Sequence, residues 1–282
     1  MMVGVTLMWA TAGVVTRHLE GARSFEVTFW RSAFTALTLL VILPVWQGRA
    51  VFTKIRHGGR ALWTSGFCWS VMFTAFMVAL TLTSTANVLV TLAIGPLLTA
   101  LAARLFIGHR LPLRTWLAIA AAGVGIGWMY GTQLGQGQWL GTLVALCVPI
   151  AAAANWTSVQ HANAQGQRID LVPAVLIGAV LSSLLTLPLA WPLEATGRDL
   201  TLLGFLGVFQ LAIPCVMSVL CARVLSAPEV SLLALLEVIF GITLAWIGAG
   251  EVPGATVLTG GAVVVGALLV NELLAVRARR VG

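Results

Sequence analysis

Charge is what this chain has least of. Charged residues make up 9% of its 282 positions and hydrophobic residues 59%, whereas soluble domains carry about 25% charged residues. A surface wet on all sides is therefore excluded. Catalytic groupings are missing too. The apolar stretches hold no Walker phosphate loop, no His-Glu-x-x-His, no Ser/His/Asp set and no paired aspartates. An intramembrane enzyme would need one of these, so neither enzyme activity nor a cofactor is expected. The cysteines Cys68, Cys147, Cys215 and Cys221 lie singly in apolar runs without metal-ligand spacing. They read as small buried apolar residues, and no disulfide or metal site is expected. The first apolar run has no basic flank before it and no small-residue cleavage site, which argues against a cleaved leader.

What is present is a series of apolar runs. A helix needs roughly 20 apolar residues to cross a membrane, and spans are expected near 1–16, 25–47, 61–82, 85–108, 113–131, 138–160, 171–192, 200–222, 228–249 and 253–275. The expected fold is all-α: one polytopic membrane domain over 1–282. The runs fall into two sets of five. Ser84, Val88, Ala103 and Gly108 meet Ser226, Val230, Ala245 and Gly250 when residue 84 is laid on residue 226 without gaps. Each copy is an apolar helix-length run with a Ser start and a Gly end. Five is odd, so the second copy (138–282) starts from the opposite side to the first (1–131). Two inverted five-helix bundles are a secondary-transporter architecture.

The net charge of +7 would suit nucleic acid if it were clustered on a free domain. It is instead divided by topology. With the N-terminus in the cytoplasm, inner segments hold Arg49, Lys54, Arg56, Arg60, Arg110, Arg114, Arg168, Arg223, Arg277, Arg279 and Arg280; outer loops hold only Arg17, Arg23 and Arg198. This bias puts both termini in the cytoplasm. Membrane lipid is the expected partner of the basic face, and nucleic acid is not expected. The longest inner segment, 47–60, sets Phe52 and Ile55 among basic residues and reads as a piece lying on the membrane surface.

Polar groups at membrane depth are costly and usually functional. Arg31 lies a third of the way into the second span and Glu237 near the middle of the ninth; Asn87, Asn155, Gln160 and Gln210 are uncharged candidates. Glu237 reads either as a cavity-lining carboxylate or as a structural bond between helices. Ser226 to Glu229 has capping-box spacing, and Glu251 and His109 occupy matched span ends. Of the eleven tryptophans, Trp46, Trp63, Trp116, Trp139, Trp191 and Trp246 fall toward span ends, where aromatic belts sit. Trp9, Trp69, Phe73 and Phe76 fall near mid-span, as buried packing or as cavity wall. Pro96, Pro149 and Pro214 lie inside spans and are expected to bend them as helix hinges. Gly123-Val-Gly-Ile-Gly127 sits inside a span and reads as a small-residue packing strip.

These residues resemble a known family. Ala79-Leu80, Ser84-Thr-Ala86, Gly95-Pro96 and Gly108-His109 in the first half, with Ser226-Ala-Pro-Glu229, Glu237 and Gly250-Glu251-Val-Pro253 in the second, are similar to the EamA-type branch of the drug/metabolite transporter superfamily. Gly260-Gly261, Trp9 and Arg31 are similar too. The chain departs where the family has Glu-Pro: it has Glu237-Val238, and the matched first-half pair is Gly95-Pro96. His109 stands where the family has Glu. The resemblance implies a bacterial inner-membrane exporter of small metabolites, and the Trp/Phe-rich mid-spans place it nearest the aromatic amino-acid exporters. The expected substrate is a small amphipathic molecule. The cavity would be walled by Trp9, Trp69, Phe73 and Phe76 and handled by Arg31, Asn87, Asn155 and Glu237. A monomer or weak dimer is expected. The competing readings are a lipid-handling or scaffold protein, and an exporter of drugs or nucleosides.

Overall fold

Apolar segments in lipid can satisfy their backbone N–H and C=O groups by coiling into helices, and helices are what these runs form. The computed structural model describes residues 1–22, 24–107, 112–133, 139–164, 172–221, 233–234 and 236–281. The helices are α1 (Met2–Thr16), α2 (Ser24–Gln47), α3 (Ala50–Arg56), α4 (Arg60–Leu82), α5 (Thr85–Leu92), α6 (Gly95–Ile107), α7 (Leu113–Gln133), α8 (Trp139–Ala164), α9 (Val172–Ala190) and α10 (Gly197–Phe205). A π-helical turn, Leu206–Ala212, joins α10 to α11 (Ile213–Cys221); α12 (Leu236–Ala249) and α13 (Ala255–Val281) follow. Among the described residues six helical stretches are long and apolar enough to cross a membrane: Ser24–Gln47, Arg60–Leu82, Thr85–Ala102, Val172–Ala190, Gly197–Ser218 and Ala255–Arg277. Four further apolar helices are shorter: Met2–Thr16, Leu113–Trp128, Trp139–Asn155 and Leu236–Ala249. The chain is a polytopic membrane protein.

Two expected spans are interrupted, both at proline. The stretch 85–108 divides at Ala93–Ile94, where Pro96 cannot donate to the carbonyl four residues back. Pro96 becomes the second residue of α6, a position where the missing N–H costs nothing. The stretch 200–222 widens into the π-turn just before Pro214, and Ile213 donates to Val208, five residues back. Pro149, by contrast, sits inside an unbroken α8. The inner segment forms the short helix α3, with Val51 buried and Phe52 exposed.

Helix α4 packs against α8 and α9, α2 against α9, α7 against α13, and α1 against α11 and α12. Hydroxyls join α2, α4 and α9: Ser32 and Thr74 each lie 2.9 Å from Ser182. Of the Gly123–Gly127 strip only Gly125 makes a close approach, since a Cβ there would sit 2.8 Å from the Gly260 carbonyl; Gly123 and Gly127 face open space. Cys68, Cys215 and Cys221 are buried free thiols, but Cys147 is exposed, because α8 turns that side of the helix outward.

The end of the bundle opposite α3 is held by polar contacts. Ser84 caps α5, accepting from the Asn87 N–H at 3.2 Å. At the end of α12, Gly250 adopts φ +66. Glu251 N–H then reaches back to Ala245 and Gly250 N–H to Trp246, a Schellman closure that favours glycine. It delivers Glu251 to α5, where the carboxylate accepts from Thr85 N–H at 2.5 Å and Thr85 Oγ1 at 2.8 Å. Arg17, just past α1, donates to Glu251 at 2.9 Å and to the Thr83 carbonyl at 2.7 Å. Ser226, Glu229, Val230, Gly108, His109, Arg23, Arg110, Arg168 and Arg223 lie outside the described residues, so the capping box and the full repeat register do too.

Candidate functional site

A cavity of about 280 Å³ lies among α1, α2, α4, α5, α6, α8, the π-turn, α11 and α12. Its wall is mainly apolar. Trp9 comes from α1, Trp69, Met72, Phe73 and Phe76 from α4, and Leu89 and Leu92 from α5. Trp69 and Phe73 pack as a tilted pair with ring centroids 5.4 Å apart. Pro96 and Pro149 also line it, together with Gly95, where an added Cβ would lie 3.7 Å from Pro149 Cβ. A broken helix bordering a cavity is where irregular backbone is tolerated at membrane depth.

Three polar side chains enter the lining: Arg31, Gln210 and Glu237. Arg31 is only 1% exposed, and among the described residues its guanidinium hydrogen-bonds to one neighbour. Its Nε and Nη2 both donate to Gln210 Oε1, at 3.0 and 2.8 Å. Gln210 Nε2 donates in turn to the Trp9 carbonyl at 3.3 Å. The guanidinium carbon lies 6.0 Å from the Phe73 ring centroid and 5.6 Å from that of Phe76, within cation–π range. Nη1 has no hydrogen-bond partner among the described residues.

Local sequence explains how Gln210 reaches Arg31. Pro214 opens the α-helical ladder, and the π-turn takes up the extra residue. Gly207 brings this turn against α2: a Cβ there would lie 2.5 Å from Phe34 Cβ and 2.9 Å from the Arg31 carbonyl. Thr35 Oγ1 spans the same contact, donating toward the carbonyls of Arg31 at 2.8 Å and Gly207 at 3.0 Å. Pro214 itself is not in the lining. Its part is to shape the turn that carries Gln210.

Glu237 lies in α12 and is half-buried. Among the described residues neither Arg31 nor Glu237 has an ion-pair partner. The two opposite charges share one cavity without direct contact and feel each other across it.

Asn87 and Asn155 lie elsewhere. Asn87 is fully buried, but its amide donates to Thr83 Oγ1 at 3.0 Å and to Thr142 Oγ1. It ties the start of α5 to α8 and is not part of the lining. Asn155 is also buried and outside the lining; its amide atoms find no partner among the described residues. The side chains of Gln160 and His161 lie outside the description. Trp46, Trp63, Trp116, Trp139, Trp191 and Trp246 are exposed. Sequence reasoning missed Glu26 and Asp199, both fully buried near the end opposite α3. Glu26 accepts from the N–H groups of Glu194 and Ala195, and Asp199 from those of Glu20, Gly21, Ala22 and Thr196. Among the described residues no three His, Cys, Asp or Glu side chains are grouped to hold a metal ion.

Comparison with known proteins bears on the first half most directly. Residues 1–131 match the model of the EamA-like transporter family. No curated protein matches the chain. Among solved structures, one titled only as the crystal structure of a protein superposes with a TM-score of 0.64 at 20% identity, covering 97% of this chain and 96% of its own. That likeness is one of fold.

Proposed function

We infer that the chain is a secondary transporter of the drug/metabolite type, a reading supported by the match of residues 1–131 to EamA-like transporters, and that two inverted five-helix repeats rock about the central cavity. Helix packing supports the repeat. Helix α1 packs on α11 and α12, and α8 packs on α4 and α6; a shift of five spans exchanges these pairs. Helix α2 packs on its own counterpart α9, α5 on α12, and α7 on α13. The transported solute is a small amphipathic metabolite, with hydrophobic or aromatic amino acids first. The distribution of Lys and Arg supports cytoplasmic termini, and the family likeness supports export across a bacterial inner membrane.

The observation that carries this reading is the content of the central cavity: a Trp/Phe wall with opposite charges on Arg31 and Glu237 that form no ion pair among the described residues. Its volume is near the lower end of the roughly 300–1,000 Å³ of small-molecule sites. An aromatic amino acid offers the matching parts, an apolar ring and a dipolar head. Counterflow in proteoliposomes against amino acids, nucleosides and cationic drugs tests it. Amino acids should move first; movement of only drugs or nucleosides would change the substrate class. If none moves, the transporter reading fails. Glu237→Gln should slow exchange or change its pH dependence, and an unaltered profile would remove Glu237 from the mechanism.

A further inference from the structure

We propose that Arg31 forms a carboxylate-binding subsite, with Gln210 as the positioning residue that holds its guanidinium without neutralising it. This deepens the transporter reading and rests on it for the role of the cavity. A guanidinium carries five N–H donors in a fixed planar fork. Gln210 Oε1 occupies one edge, accepting from Nε and Nη2. The other edge, formed by Nη1 and the second hydrogen of Nη2, is the one that matches both oxygens of a carboxylate. Nη1 is buried in a residue that lines the cavity, and it has no partner among the described residues.

The choice of a carboxamide is the informative part. A glutamate at 210 would accept the same two hydrogen bonds, but it would cancel the charge. A buried charge without an ion pair in contact is costly, and the more distant Glu237 and the rings of Phe73 and Phe76, through cation–π attraction, compensate only part of that. The cost is recovered when an anionic group arrives with the solute. The amide's orientation is fixed as well. Its Nε2 donates to the Trp9 carbonyl, so the oxygen faces Arg31, and the reverse orientation would set NH2 against guanidinium N–H. Gly207 and the π-turn hold this geometry from behind.

Three ligands sharing a phenyl ring test the subsite: 3-phenylpropionate, L-phenylalanine and phenethylamine, measured by equilibrium dialysis on the purified full-length protein. Gln210→Glu should weaken both carboxylates by about tenfold or more and leave the amine unchanged or tighter. Arg31→Gln should reproduce the pattern. Equal weakening of all three ligands, or no change in any, overturns the subsite, as does wild-type protein that binds neither carboxylate. If the variants do not fold, as judged by gel filtration, the wild type decides alone. It must then prefer 3-phenylpropionate over the neutral 3-phenylpropionamide about tenfold, and equal affinity overturns the subsite. Binding is read without transport, so the two readings fail separately. A protein with this ligand pattern and no counterflow loses the transporter reading; one that moves phenylalanine without the pattern loses the subsite.

Discussion

Asp199 and Glu26 show what a buried carboxylate does here when it is not in the cavity. Asp199 accepts from four backbone N–H groups, three of them in the loop after α1 and one at its own capping box. Hydrogen bonds to a charged acceptor are worth more than neutral ones, and leaving a buried donor unmet costs about 1–3 kcal/mol. Asp199→Asn turns an NH2 toward these donors and should lower stability by about 1–3 kcal/mol, read as a fall in the thermal midpoint in detergent. Arg198→Ala is the comparison. Arg198 pairs with Glu20 on the exposed surface, where such pairs contribute roughly 0–1 kcal/mol. Equal midpoints for the two variants would remove the structural role of Asp199. Neither Asp199 nor Glu26 is fully legible in the sequence: Thr196 and Trp30 are local partners, but the others are backbone N–H groups 168–179 residues along the chain. Asn87 illustrates the same limit. A buried amide reads alike whether it meets a solute or, as here, Thr83 and Thr142.

At the level of elements, helices are legible and their defects only partly so. Hydropathy marks α2 and α4 to within a residue of their expected starts, because a membrane span must be apolar along its length. Pro96 marks a break, and α5 does end just before it. Pro214 marks one too, but nothing in Leu206–Ala212 distinguishes a π-turn from a simple kink, since that choice is made by contact with α2. Gly207 decides it. Gly207→Ala would force a Cβ to 2.5 Å from Phe34 Cβ and 3.0 Å from the Thr35 nitrogen. Overpacking of this kind costs about 1–3 kcal/mol, and it would pull Gln210 away from Arg31. Gly204→Ala, three residues earlier, meets only the Phe34 ring at 3.9 Å and should be neutral or slightly stabilising through helix propensity. Thermal unfolding of the pair should separate them, and carboxylate binding should fall only in Gly207→Ala. Matching losses in both would show that the close approach is not what sets the turn.

For the molecule as a whole, the end opposite α3 carries a latch that joins α1, α5 and α12. Arg17 and Glu251 are 30% and 17% exposed, and an ion pair so placed contributes roughly 0–1 kcal/mol. Thr85 N–H and the Thr83 carbonyl add to it. A latch of this strength can open on a working timescale, which suits a gate better than a permanent tie. If transport requires the halves to part here, fixing the latch should stop it. In a Cys147→Ala background, which removes the exposed thiol, Arg17→Cys and Glu251→Cys joined by a short bismaleimide should abolish phenylalanine counterflow. Binding of 3-phenylpropionate in detergent should persist, because the Arg31 edge is untouched. The same double variant without the linker should still exchange solute, at a rate altered only by loss of the pair. Undiminished counterflow in the linked protein would mean that this end stays shut throughout the cycle, and the moving contact would have to lie between other helices.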